Sequence, residues 1–182
     1  MTVLFCSDLH HSHKNICKYT NRLVETTEDQ HNDWLIKIWN SQVQPKDTVY
    51  HLGDLSFASR YNDVADFVNK LNGYKVLIKG NHDKVEFLKK LKEDQLIADW
   101  HDYKEIKIKG NSTVLFHFPI AAWHKQGYGA WHLHGHSHGM YESKGKSLDV
   151  GLDSSYNEFK IHRFFSEEDI EECMNAKETV VQ

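Results

Sequence analysis

The stretch TVLFCSDLH, residues 2–10, decides the fold. Thr2–Cys6 is a short apolar run, and Asp8 and His10 follow it almost at once. An uninterrupted apolar run of this length is typical of a strand that is buried on both faces, as in a parallel sheet. In open α/β sheets, functional side chains gather beyond the carboxyl ends of such strands. The stretch therefore predicts an α/β protein with a site at one edge of its sheet.

The same pattern, with polar residues directly after a predicted strand, recurs four times further along the chain. The groups are Gly53-Asp54 after Asp47–Leu52, Gly80-Asn81-His82-Asp83 after Tyr74–Lys79, His117 at the end of Ser112–His117, and Gly135-His136-Ser137-His138 after Trp131–His134. Because sites form where strand ends meet, we expect all of these groups to lie close to Asp8 and His10.

Helical periodicity separates the early strands, whereas strand-like segments dominate the second half. Helices are predicted over residues 15–23, 28–43, 64–71 and 83–91, with a last helix that begins at Ser166 and ends near Asn175. Further strands are predicted over 103–109, 147–150 and 158–164. Thr27 and Gln30 have the form of a capping box. This order predicts an α/β fold, a two-sheet β-sandwich flanked by helices, in a single domain over residues 1–175 with a C-terminal tail at 176–182.

Composition and charge fit one globular domain and argue against several classes of protein. The chain has 182 residues, 40% of them hydrophobic, and a formal net charge of −4, which a basic nucleic-acid coat protein would not have. No apolar run approaches the roughly 18 residues that a membrane helix needs. The first residues lack the pattern of a signal peptide, and the three cysteines are odd in number and widely spaced. We therefore expect a cytoplasmic protein with reduced thiols and no membrane association.

Histidine is unusually abundant, with 14 residues in the chain, and it is the commonest metal ligand in proteins. The polar groups combine carboxylate, amide and imidazole donors, a mixture that suits Mn, Fe or Zn better than Ca or Mg alone. So many donors exceed the needs of one tetrahedral ion but fit two ions that share a carboxylate. Two metals about 3.5–4 Å apart can hold both the attacking and the leaving oxygen of a phosphoryl displacement.

Taken in order, the motifs Asp-x-His, Gly-Asp, Gly-Asn-His-Asp, His and Gly-His-x-His resemble those of the calcineurin-like metallophosphoesterase superfamily. The stretches DLHHSHKN (8–15), HFP (117–119) and LHGHSHG (133–139) are similar, more narrowly, to its small single-domain phosphoesterases of bacteria and bacteriophages. The resemblance implies a four-layer αββα form of the sandwich.

The resemblance also implies a role for each motif residue. The implied ligands are Asp8, His10 and His138 for a first metal, Asn81, His117 and His136 for a second, and Asp54 as the bridge between them. His82 would contact the phosphate and protonate the leaving oxygen, while a hydroxide between the metals would attack phosphorus in line. The two ions are expected to be divalent transition metals, with Mn favoured and Fe, Zn or Ni as alternatives.

Several neighbouring side chains have a structural interpretation that competes with a functional one. Asp83 is expected to bond backbone amides as a helix cap. His132 and His134 are expected to be structural or to line the wall of the site. His13 is a candidate substrate contact, together with Asn81 and His82. The roles of His11 and His124 stay open; His124 lies in a loop where packing of aromatic residues is favoured over a substrate role.

The segment after Asp54 differs from that of the phosphoprotein phosphatase branch of the superfamily. That branch has an Asp-Arg-Gly sequence there, with a phosphate-binding arginine, whereas this chain has Phe57 and Ala58, and Arg60 is expected on the surface. The sequence therefore favours a metal-dependent phosphodiesterase. The alternatives are a nuclease on DNA or RNA, a small-molecule phosphomonoesterase and a catalytically silent scaffold. The expected partner is a phosphoester substrate, with a nucleotide-derived ester as one candidate, and no obligate protein partner.

Overall fold

A computed structural model describes residues 1–23 and 26–180. In chain order its elements are β1 (Val3–Cys6), α1 (Ile16–Tyr19), α2 (Glu28–Gln42), β2 (Thr48–His51), α3 (Tyr61–Asn69), β3 (Tyr74–Ile78), α4 (Val85–Glu93), β4 (Asp99–His101), β5 (Tyr103–Ile108), β6 (Asn111–Phe116), a 3₁₀ turn (Gln126–Tyr128), β7 (Trp131–His134), β8 (Ser147–Asp149), α5 (Leu152–Phe159), β9 (Phe165–Ser166) and α6 (Glu167–Asn175).

The strands form two mixed sheets. The first has the order β4-β3-β2-β1-β9, in which β1 to β4 are parallel and β9 runs antiparallel to β1. The second has the order β5-β6-β7-β8, in which β5 and β6 form an antiparallel hairpin while β6, β7 and β8 are parallel. The carboxyl ends of the parallel strands within each sheet therefore share an edge, as the sequence predicts.

Two apolar clusters hold the layers together. One lies between the first sheet and α2, α3 and α4, and includes Leu35, Phe67 and Leu88. The other lies between the two sheets, where Phe5 of β1 and Leu133 of β7 are fully buried. Alternate residues of a strand face opposite sides, so the inner strands of the first sheet contact both the helical layer and the facing sheet. The predicted α/β fold, with two sheets and flanking helices, is confirmed.

Two of the helices begin as their sequences predict. Thr27 and Gln30 form both bonds of a capping box at the start of α2, and Ser166 and Asp169 do the same for α6. These bonds satisfy backbone amides that the first helical turn leaves unpaired. Within the described ranges, no helix combines the length and the apolar character needed to cross a membrane.

The structure corrects two local predictions and adds a strand that was not predicted. The helix predicted over 15–23 covers only Ile16–Tyr19, because the chain becomes extended at Thr20 and then carries Arg22 into the interior. The strand predicted over 158–164 is wrong: α5 runs to Phe159, and the strand is the shorter Phe165–Ser166. Strand β4 lacked a recognisable sequence pattern. The last two residues of the predicted tail, 181–182, lie outside the described residues.

Candidate metal centre

The loops after β1 and β2 are joined along their backbones, which brings their carboxylates together. The amide of Asp8 donates to the carbonyl of Gly53 over 3.0 Å, and that of His10 to the carbonyl of Asp54 over 3.1 Å. Asp8 and Asp54 both have a left-handed backbone, with φ of 59° and 57°. Side chains other than glycine seldom adopt this conformation, and such strain is concentrated at functional sites. Both loops therefore turn their acidic side chains to the same edge.

Two glycines allow the loops to approach each other this closely. A Cβ at Gly53 would collide with Nδ1 of His117, and a Cβ at Gly80 would collide with the carboxylate of Asp54. Gly53 also has a φ of 101°, which favours glycine. The Gly-Asp and Gly-Asn motifs are thus required by the packing of the loops against each other.

Asp8, His10 and His138 form a first cluster, in which one potential ligand atom from each lies within 4.8 Å of the others. Nε2 of His10 is 3.6 Å from Oδ1 of Asp8. Within the residues that the structure describes, neither ring nitrogen of the buried His10 has a hydrogen-bond partner. Because burying an unpaired polar atom is costly, this arrangement fits a cation that would bind the ring.

Asp54, His117 and His136 form a second cluster with the same limit of 4.8 Å between ligand atoms. Nδ1 of His117 donates to the carbonyl of Leu52 over 2.7 Å, so a neutral ring directs the lone pair of Nε2 away from it. That nitrogen lies 3.0 Å from Oδ1 of Asn81 and 3.6 Å from Oδ2 of Asp54. Three acceptor atoms converging in this way fit a second cation.

Asp54 belongs to the second cluster and also faces the first. Its Oδ2 is 4.0 Å from Nε2 of His10 in the first cluster and 3.6 Å from Nε2 of His117 in the second. Its Oδ1 accepts a hydrogen bond from the backbone amide of His82 over 2.9 Å. The carboxylate is therefore placed to face both clusters. The hydrogen bond from the His82 amide to its Oδ1 also orients the loop that carries His82.

The carboxylates of the site are held in their charged form. Burial opposes this, but the imidazole of His10 beside the carboxylate, with smaller contributions from His138 and His117, holds the pKa of Asp8 well below its usual range. Burial likewise opposes ionisation of Asp54, yet its contacts with His117 leave its pKa lowered. Anionic carboxylates beside imidazoles are the donor set that divalent transition metals prefer.

A buried ion pair that the sequence analysis missed supports the first cluster. Nδ1 of His138 lies 2.6 Å from Oδ2 of Asp153, which also pairs with the guanidinium of Arg22 over 2.9 Å. Arg22 additionally donates to the backbone carbonyls of Asp8 and Leu9. The Arg22–Asp153 pair therefore fixes both the orientation of the His138 ring and the position of the loop after β1.

A second missed carboxylate, Asp149, orders the loop that carries His136 and His138. Its Oδ2 accepts from the hydroxyl of Ser137 over 2.6 Å and from the amide of Gly139 over 2.9 Å. Asp149 ends β8 and Asp153 follows it. The rule that functional side chains lie beyond the carboxyl ends of strands therefore applies to the predicted strand at 147–150 as well.

Asp83 bonds backbone amides, but the prediction that it caps a helix is wrong. Its carboxylate accepts from the amides of Gly80, Asp54 and Leu55 over 2.9–3.0 Å. Helix α4 begins after Lys84 and has no side-chain cap. The carboxylate instead joins the loop after β3 to the loop after β2, and so stabilises the site.

The remaining histidines separate into structural and cavity-facing groups. His132 and His134 are fully buried, and His132 contacts the carbonyls of Val114 and Phe118. His11 contacts the Ser56 hydroxyl and stacks on a phenylalanine, while the exposed His124 pairs with a glutamate.

His13 and His82 line a cavity beside the first cluster, and the side chain of His82 is 43% exposed. Neither belongs to the two clusters, whereas all the predicted ligands lie in or against them.

The sequence matches a family of known proteins along nearly all its length. The model of the family described as calcineurin-like phosphoesterase matches residues 1–177. That range contains both clusters and every loop described above.

Individual relatives extend this likeness across distant sources. An uncharacterized protein of Methanocaldococcus jannaschii is 33% identical over 159 residues, with 83% of this chain and 81% of that protein covered. The Gene 66 protein of Mycobacterium phage L5 is 28% identical over 179 residues, covering 82% and 86%. A crystal structure of a protein of unknown function from Aquifex aeolicus has the same fold, with a TM-score of 0.69, 23% identity, and 94% of this chain and 98% of that chain covered.

Proposed function

Since this chain belongs to the calcineurin-like phosphoesterase family, whose members hydrolyse phosphoesters with divalent metal ions, we propose that it is a dinuclear phosphodiesterase. The position of Asp54 carries the proposal. Its Oδ2 lies 4.0 Å from His10 of one cluster and 3.6 Å from His117 of the other. A carboxylate so placed can be shared by two ions, and a two-metal site is suited to phosphoryl displacement.

The proposed ligands follow from the two clusters. Asp8, His10 and His138 would hold one ion, Asn81, His117 and His136 would hold the other, and Asp54 would bridge them. When bound, the two ions would supply positive charge for the phosphoryl oxygens and an activated water for the attack. The mixture of oxygen and imidazole donors favours Mn²⁺, with Fe, Zn or Ni as alternatives.

His82 is proposed as the phosphate contact and general acid. Its side chain is partly exposed at the cavity, and its Nε2 lies 3.9 Å from Oδ2 of Asp54, outside both clusters. A protonated Nε2 would donate a hydrogen bond to a phosphoryl oxygen and then pass its proton to the departing ester oxygen. This transfer matters most for an alkoxide, which is a poor leaving group without a proton.

The positions of the arginines favour a diester over a monoester. A monoester dianion gains from fixed guanidinium donors, whereas a diester carries one charge and needs fewer. Arg22 is buried against Asp153, the side chain of Arg60 is 79% exposed and pairs with Asp63, and Arg163 pairs with Asp169. All three arginines of the chain are thus paired with carboxylates, and none of them lines the cavity.

Hydrolysis of two chromogenic esters tests the proposal. We expect a higher kcat/KM on bis(4-nitrophenyl) phosphate than on 4-nitrophenyl phosphate, with the same Mn²⁺ concentration, pH and protein preparation. A clear preference for the monoester would replace the phosphodiesterase with a small-molecule phosphatase. Hydrolysis of neither ester, in protein with both metals bound, would favour a scaffold.

A further inference from the structure

A cavity of about 490 Å³ opens beside the first cluster. This volume lies in the range of small-molecule sites, roughly 300–1,000 Å³. The wall on the side of the metal centre is formed by His10, His82 and His138. A phosphoester held at the metal centre would therefore extend one of its ester groups into the cavity.

Another part of the cavity wall is apolar and rich in aromatic rings. It is formed by Ile16, Tyr19, Phe57, Met140 and Tyr156. Tyr19 is 74% exposed and Met140 is 85% exposed, so two large apolar side chains stand at the cavity mouth with little cover from the chain. Apolar side chains grouped at a cavity mark a ligand-binding surface more often than single exposed residues do.

Phe57 continues this wall up to the metal centre. Its ring centroid is 4.1 Å from that of His82 and 5.0 Å from that of His10. The rings therefore form a continuous surface from the phosphate-facing histidine to the apolar wall. A flat group attached to the phosphate could lie against it in offset or edge-to-face contact.

The cavity lacks the charges that a polyanion would need. Among the described residues that line it, none is a lysine or arginine, and Asp153 is its carboxylate. The guanidinium of Arg22 is fully buried beneath, in its pair with Asp153. Binding of a nucleic-acid backbone depends on several cationic contacts, so this surface favours a compact ligand without further phosphates.

Uncharged polar groups complete the lining. Asn21 and Asn157 are exposed at the cavity and can donate to or accept from the edge of a ring. We propose that the cavity binds a flat, uncharged ring on the non-leaving ester group of the substrate, which rests on the proposed phosphodiesterase function. The ring is either a simple aryl group or a heterocyclic base, and the two share the same stacking chemistry.

Three diesters with a common 4-nitrophenolate leaving group test this specificity. The second ester group is methyl, phenyl or 5′-thymidyl, and each is assayed with wild-type protein and Tyr19→Ala. We expect kcat/KM for the phenyl and thymidyl esters to fall roughly tenfold in Tyr19→Ala, as loss of one stacking contact would cause, and that for the methyl ester to stay unchanged. A greater loss for the thymidyl ester identifies a base; equal losses identify a simple aryl ring.

Tyr128→Ala is the matched control. Tyr128 is 93% exposed and lies outside the cavity, so its removal should leave all three values unchanged. Both tyrosines are on the surface, and neither substitution disturbs the core. An equal fall for the methyl and ring-bearing esters in Tyr19→Ala would overturn the proposal.

A binding measurement separates failure of this inference from failure of the proposed function. Methyl phenylphosphonate and methyl methylphosphonate are both monoanions, and their binding to Mn²⁺-loaded protein can be measured by calorimetry without turnover. We expect the phenyl compound to bind more tightly to wild-type protein and Tyr128→Ala, and this advantage to be lost in Tyr19→Ala. Equal affinities in wild-type protein would overturn the ring-binding cavity whether or not any diester is hydrolysed.

Discussion

The ring of His138 is oriented by a buried ion pair, in which Asp153 bonds Nδ1 and Arg22 bonds Asp153. The charge of Arg22 and the contact with His138 outweigh burial and lower the pKa of Asp153 to about 2, so it is anionic near neutral pH. An anionic partner on Nδ1 leaves Nε2 free to bind a metal and increases its basicity. Asp153 is thus a positioning residue.

Substitution of Asp153 tests this role. In Asp153→Asn, we expect the affinity for the Mn²⁺ ion of the first cluster to fall roughly 10–100-fold, the usual effect of losing such a partner of a ligand. Titration calorimetry measures the affinity, and circular dichroism checks the fold. Asp63→Asn is the control, because it breaks an arginine pair on the surface. Unchanged Mn²⁺ binding in folded Asp153→Asn would show that the ion pair is only structural.

His82 provides a second test at the residue scale. His82→Ala should keep both metals, since its ring lies outside the two clusters. The rate should fall by roughly 10²–10⁴, the usual contribution of a general acid. The fall should be smaller for 4-nitrophenolate than for phenolate as leaving group, because the former departs without a proton. A loss that is independent of the leaving group would contradict the acid role.

At the scale of elements, the sequence predicts an element well where its signal is local. The capping box of Thr27 and Gln30 marks the start of α2 correctly, and apolar runs locate β1, β2 and β3. The end of α1 is set instead by the burial of Arg22 against Asp153, which lies 131 positions further along the chain. Spacing within one segment cannot reveal such a partner.

The capping box gives a measurable prediction. Thr27→Ala removes the side chain that accepts the amide of Gln30 over 3.2 Å. We expect the free energy of unfolding to fall by about 1 kcal/mol in urea titrations. Ser41→Ala, in the last turn of the same helix, should cause little change, since alanine is a good helix former there. Equal effects of the two substitutions would show that the box does not stabilise α2.

At the scale of the whole molecule, the packing of the two sheets buries several histidines in their neutral form. Burial lowers the pKa of His132 to about 4, and that of His51 to about 3. In the unfolded chain such residues titrate at their ordinary pKa of about 6.5. As the pH falls from 6.5 to 4, the unfolded state therefore takes up protons that the folded state does not, and stability decreases.

Urea unfolding at a series of pH values measures this effect. We expect His132→Gln to lose less stability than wild-type protein between pH 6.5 and 4, at the same metal concentration, because one such histidine is removed. His124→Gln is the control, since His124 is on the surface. A wild-type-like loss of stability in His132→Gln would contradict the assignment of a neutral buried ring.

The assembly of the site is the feature of the whole molecule that the sequence predicts best. Asp8, Asp54 and His136 each follow a strand, and the parallel order of the strands brings them to one edge. The supporting contacts were harder to predict, because Arg22 follows no strand and Asp83, which was expected to cap a helix, bonds a neighbouring loop instead. Ligands are recognised by their motifs, whereas the partners of the residues that orient them are recognised only from the contacts in the structure.

The metal content of wild-type protein and Asp54→Asn tests the dinuclear centre most directly. Both proteins would be saturated with Mn²⁺, passed through a desalting column and measured by elemental analysis against protein concentration. We expect two ions per chain in the wild-type protein and fewer in Asp54→Asn, with loss of diester hydrolysis, because Oδ2 of Asp54 faces both clusters. Two tightly bound ions and normal hydrolysis in Asp54→Asn would contradict the bridge.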